Sequence, residues 1–70
     1  GLSPETVGFL RAVLGGESPS GISGADAARM ADVINEAFSD NFGDIIVEFT
    51  ERGYEIIEDY KEDVEKWLNR

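Results

Sequence analysis

The chain has 70 residues, no cysteine and no histidine, and its 15 acidic side chains against 6 basic ones give a formal charge of −9. A domain this short hides only about 60% of the surface its unfolded chain exposes, which argues against a deep catalytic cleft. The composition excludes a disulfide frame, a thiolate metal centre and histidine-based nucleophilic catalysis, and the negative field repels phosphate backbones and anionic lipid headgroups.

No apolar run approaches the about 18 residues needed to cross a bilayer, and no basic-then-apolar leader opens the chain, so a cytoplasmic location is expected. Seventy residues make one domain, residues 1–70, and Gly1 at the start with Met30 as the single methionine suggests a processed or excised piece of a longer protein. Ser3 before Pro4 reads as an N-cap with proline at the first helical position, and Val7, Leu10, Val13 and Leu14 mark one face of the helix that follows. Gly15-Gly16 ends it. From Glu17 to Gly21, Pro19 and the flanking Ser18 and Ser20 allow a turn but no longer pattern.

Ser23 is placed to cap the next helix at the Asp26 amide, with Ile22 stapling against Ala27. Ala27, Met30, Ala31, Ile34 and Phe38 recur at three- and four-residue steps to about Asp40, the stripe of an amphipathic helix that Val33 and Ala37 widen. Asn35 sits at the edge of this stripe, where its amide can tie down the segment before the next element.

After Phe42-Gly43 the period drops to two, with Ile45, Val47 and Phe49 on one face, Glu48 and Thr50 on the other, and Ile46 the exception. Glu51-Arg52-Gly53 fits a three-residue hairpin loop with glycine in the left-handed position, and Tyr54 and Ile56 resume the alternation. Glu58 or Asp59 is expected to cap a last helix with Tyr60, Val64, Trp67 and Leu68 on its inner face. The expected fold is a small α+β domain in the order helix, turn, helix, hairpin, helix. The helices form a layer on the two-stranded antiparallel hairpin, because a lone hairpin is marginal in water. It is winged-helix-like, without the strand that usually precedes the wing.

The serines fall mostly at caps and turns, and Gly15-Gly16-Glu17-Ser18 lacks the lysine and following hydroxyl of a phosphate loop. A carboxylate-pair hydrolase is the remaining catalytic option, with no cleft to house it. In a DNA-binding arrangement the second helix would present Asp26, Arg29, Asp32, Glu36 and Asp40, a face that repels a duplex. Asp32, Glu36 and Asp40 are stacked four apart, and each like-charged pair costs the helix about 0.2–0.5 kcal/mol. A hard divalent cation such as Ca²⁺ or Mg²⁺ would relieve that repulsion if Glu36, Asp40 and Asp44 converged. An EF-hand counted from Asp40 fails, since Phe42 falls on a ligand position and Ile45 where glycine is required.

Ile34-Asn35-Glu36, Phe42-Gly43-Asp44 and, after a hairpin, Ile57-Glu58-Asp59-Tyr60 resemble in order and spacing the C-terminal domain of tellurite-resistance TerB-type proteins. The entry helix, with Phe9-Leu10 and Leu14-Gly15-Gly16-Glu17, is similar as well, whereas the Pro19–Gly21 region departs from the pattern. The resemblance implies a non-catalytic module appended to other domains in bacterial stress-associated proteins, with acidic residues proposed to bind metal. Carried over by position, those residues are Glu36, Asp44, Glu58 and Asp59, with Asp40 an addition. The expected partners are other domains of the parent protein or a basic protein surface, with no direct DNA binding and no membrane insertion. The alternative is an acidic winged-helix-like docking domain in a nucleic-acid-associated protein.

Overall fold

The computed structural model describes residues 2–17, 19 and 21–69. Ser18 and Ser20 of the expected turn, and the terminal Gly1 and Arg70, lie outside the described residues. Helix α1 (Pro4–Leu14) is followed by α2 (Gly24–Phe42), the antiparallel hairpin of β1 (Val47–Thr50) and β2 (Gly53–Ile56), a 3₁₀ turn (Glu58–Tyr60) and α3 (Lys61–Leu68). This is the expected small α+β fold, in the expected order.

The caps follow from local chemistry. Ser3 Oγ accepts from the Thr6 amide at 3.2 Å and shares a 2.9 Å hydrogen bond with the Thr6 hydroxyl, which lets Thr6 be buried. Ser23 Oγ accepts from the Asp26 amide at 3.2 Å, satisfying one of the orphan donors of the first turn of α2. Helix α2 ends at Gly43, whose φ of 66° is left-handed and whose amide donates to the Ser39 carbonyl at 2.7 Å. The last helix departs from expectation. Neither Glu58 nor Asp59 caps it through its side chain, and the chain winds through the 3₁₀ turn, where the Tyr60 amide donates to the Ile57 carbonyl at 2.9 Å.

One core joins all elements: Phe9, Leu10 and Val13 from α1, Met30, Ala31, Ile34 and Phe38 from α2, Ile46, Val47 and Ile56 from the hairpin region, and Val64 and Leu68 from α3. Helix α1 lies against α2, β2 and α3, while α2 packs on β1. Ile34 is fully buried, and truncating such a side chain to alanine costs about 2–5 kcal/mol, comparable to the whole stability of a small domain. The buried stripe of α2 is narrower than its sequence suggests. Val33 is 39% exposed and Ala37 is also exposed, because the hairpin packs on the Asn35 side of the stripe and not on theirs.

The strand register pairs Val47 with Ile56, Glu48 with Glu55, Phe49 with Tyr54 and Thr50 with Gly53. The loop between the strands is therefore the two residues Glu51 and Arg52, one shorter than expected, although Gly53 does take a positive φ of 104°. The burial does not follow the expected alternation, since Ile46 and Val47 are buried in succession. Ile46 is fully buried and Ile45 is 48% exposed, and Phe49, expected in the core, is 74% exposed.

Seven aromatic side chains divide into two groups. Phe38 stacks on Phe42 at 5.8 Å and meets Trp67 edge-on at 5.2 Å, and Phe42 contacts Tyr60 at 4.9 Å, so this group welds the end of α2 to α3. Phe9 meets Tyr54 edge-on at 5.6 Å, and Tyr54 in turn touches Phe49 at 4.8 Å, which joins α1 to the hairpin. Such pairs contribute about 0.5–1.5 kcal/mol each beyond the area they bury.

Candidate functional site

Asn35 projects from α2 onto the hairpin. Its Oδ1 accepts from the amides of Ile46 at 2.8 Å and Val47 at 2.9 Å, and its Nδ2 donates to the Val47 carbonyl at 3.0 Å. The amide thus pairs with Val47 as a residue of a neighbouring strand would, which covers the outer edge of β1 at that point. Drawing both amides toward α2 is also what buries Ile46 and Val47 in succession.

The other motif residues have structural duties too. Phe42 fills the aromatic group, Gly43 supplies the left-handed turn, and Asp44 Oδ1 accepts from the Ile45 amide at 2.8 Å. The Tyr60 hydroxyl donates to Asp44 Oδ2 over 3.5 Å, a long hydrogen bond that ties the start of α3 to the end of α2. Partial burial first, then the Asp44 carboxylate and its hydrogen bond, then the charge of Asp59, hold the Tyr60 phenol above its ordinary value.

The five expected metal ligands are placed as follows. Glu36 and Asp40 stand exposed on α2, with the Glu36 main-chain carbonyl accepting from Ser39 Oγ at 2.8 Å. Asp44 and Asp59 both act on Tyr60, and Glu58 pairs with Lys61 at 3.2 Å. Among the described residues no three carboxylates form a group able to hold a metal ion, so the expected convergence is not found. The acids are carried by a helix, a bend and a 3₁₀ turn, and packing spreads these over the surface.

The structure draws attention elsewhere, to the hairpin. Phe49 shares its strand face with Val47, yet Val47 is buried and Phe49 bare, so the helical layer ends between them. The opposite face carries Glu48 directly across from Glu55, a like-charged pair, with Glu51 at the turn. Arg52 reaches Glu55 at 3.3 Å, and the Thr50 hydroxyl also donates to Glu55. Among the described residues Glu48 and Glu51 make no ion pair.

Between α1 and β2 lies a groove of about 400 Å³, floored by Phe9, Val13 and Ala27 and walled by Gly53 to Ile56. Sequence reasoning missed both features. The groove draws its residues from four distant segments, and the one local signal for an exposed Phe49 is that it lies one residue from the end of its strand, beside a turn rich in charge.

The fold and surface define a class: a small α+β domain whose helical layer carries one hairpin, with an aromatic and acidic hairpin tip. No family model, no curated protein and no solved structure matches the chain. Among the described residues, no helix is long and apolar enough to cross a membrane.

Proposed function

We propose that the chain is a non-catalytic interaction module that docks a basic protein surface, an accessory part of a larger protein of the tellurite-resistance type its motifs resemble. The observation that carries this reading is Phe49, 74% exposed at the tip of a hairpin whose other face is carboxylate. Interfaces concentrate their energy in a few aromatic or arginine anchors ringed by polar groups, and Phe49, whose ring meets Tyr54 on one side, leaves most of its surface to solvent. The surrounding negative field would speed encounter with a cationic partner and discourage nucleic acid.

The test is a photo-crosslinking side chain placed at position 49 in the cell that makes the protein, with a second placement at the exposed Ala28 on α2 as control. A discrete protein adduct from position 49, absent from position 28 and suppressed by Glu48→Lys, supports docking. No adduct, or the same adducts from both positions, refutes it.

A further inference from the structure

The groove beside β2 deepens this reading and rests on it. In an antiparallel pair, residues facing each other alternate between sharing main-chain hydrogen bonds and turning those groups outward. The Ile57 amide donates to the Ile46 carbonyl at 2.9 Å, so the Ile46/Ile57 pair is of the bonded kind. Counting from there along the register, Val47/Ile56 and Phe49/Tyr54 turn their amides and carbonyls away from the hairpin. On the β1 side Asn35 answers the outward groups of Val47. On the β2 side the outward groups belong to Tyr54 and Ile56, in the run of residues that walls the groove.

A strand edge beside an apolar trough is the arrangement in which an extended peptide adds as a further strand, with main-chain bonds giving affinity and alternate side chains entering the trough. Charge selects among extended peptides. The two cations on the groove's rim, Arg52 and Lys61, are already paired with Glu55 and Glu58, whereas Glu17 on the opposite wall and the nearby Glu51 make no ion pair among the described residues. The charge left without a counter-ion there is therefore negative, carried by Glu17 on the lining and by Glu51 next to Arg52 in the chain.

We infer that an extended, lysine- or arginine-bearing segment of a partner protein adds to β2 as a third strand, seating an apolar side chain over Phe9, Val13 and Ala27. The β1 edge, closed at Val47 by Asn35, does not offer the equivalent place.

The experiment is an amide NMR titration of the whole domain with a pool of short peptides alternating lysine or arginine with random apolar residues. A matched pool N-methylated at every second main-chain amide and a pool with glutamate in place of the basic residues serve as comparisons. The expected result is saturable shifts at Gly53 to Ile56, slowed hydrogen exchange of the Tyr54 and Ile56 amides, binding about tenfold weaker after N-methylation, and none by the acidic pool. Ala27→Arg, which puts bulk and positive charge at a half-buried position of the trough's floor, should abolish those shifts, with retained dispersion showing the domain still folded. Shifts confined to Phe49 and the outer carboxylates, indifferent to N-methylation, overturn strand addition and leave docking intact. Failure of every basic pool to bind saturably, together with no crosslinked adduct from position 49, overturns both.

Discussion

Asn35 and Val47 are joined by two hydrogen bonds, 2.9 Å from the Val47 amide to Oδ1 and 3.0 Å from Nδ2 to the Val47 carbonyl, so a helix side chain does the work of a third strand. The same oxygen also takes the Ile46 amide. Two strands of four residues each depend on this attachment, because a hairpin alone is marginal.

Asn35→Ala should therefore destabilise the domain by about 2–3 kcal/mol, since it strips partners from three main-chain groups beside the buried Ile46 and Val47. Asn35→Asp keeps the acceptor for both amides and loses only the donor to the Val47 carbonyl, so its cost should be smaller, about 1–2 kcal/mol. Urea unfolding midpoints measure both. If the two variants match the native protein, the amide is ornamental and the hairpin is held by packing alone.

Gly43 has a φ of 66°, and a Cβ built there would meet nothing within 4 Å. The cost of Gly43→Ala is then conformational and not steric crowding, about 1–2 kcal/mol for forcing an alanine into the left-handed region. Gly43→Asn should recover part of it, because asparagine tolerates that region better. Thermal melts of the two variants check the order, and an alanine variant as stable as the native chain would mean that the turn relaxes to another geometry.

Tyr60 links stability to alkaline pH. Its phenol is held above its ordinary value in the folded domain by partial burial, by Asp44 and by Asp59. A group whose proton is held more tightly when folded contributes stability that is complete below its unfolded value and is lost as pH rises through the folded one. Stability should accordingly fall above about pH 10. Tyr60→Phe should flatten that fall, and Asp44→Asn should lower the pH at which Tyr60 ionises, followed by phenolate absorbance in a Tyr54→Phe background. An unchanged ionisation in the Asp44 variant would show that the 3.5 Å contact carries no coupling.

The capping serines, the glycine terminators and the hairpin were legible in the sequence because each is decided within a few residues. Ser23 needs only the Asp26 amide three positions on, and Gly53 only its own turn. Asn35 was legible too, as a polar residue on the border of an apolar stripe. What escaped depends on contacts between distant segments. The burial of Ile46 in place of Ile45 follows from Asn35 gripping two successive amides, which no alternation rule contains. The exposure of Phe49 depends on where the helical layer stops. The acidic candidates shared a sign and a rough neighbourhood along the chain, but their placement awaited the packing of α3 against α1 and the end of α2.

The hairpin's outer face holds a test of how far charge has been kept at a cost to stability. Glu48 and Glu55 face each other directly, and like charges so placed oppose strand pairing by about 0.2–1 kcal/mol. Glu48→Lys should raise the melting temperature, and the gain over the native protein should shrink in high salt as screening weakens both the repulsion removed and the attraction gained. A variant no more stable at low salt would mean that Arg52 and the Thr50 hydroxyl already neutralise Glu55 in full.

Arg11 closes the fold at its other end. From the last turn of α1 its Nη2 donates to the Leu68 carbonyl at 3.1 Å, one of the carbonyls that a helix of eight residues leaves without an internal partner. A cation at that position also suits the negative end of the α3 dipole, so bond and field act together, at about 1–2 kcal/mol for a charged donor partly in solvent. Arg11→Met keeps the aliphatic stem and removes only the charge and the donor. The expected outcome is faster hydrogen exchange of amides in the last turn of α3 while those of α2 keep their protection. Uniformly faster exchange in both helices would instead place Arg11 in the cooperative core, with α3 unable to fray without the rest of the domain opening.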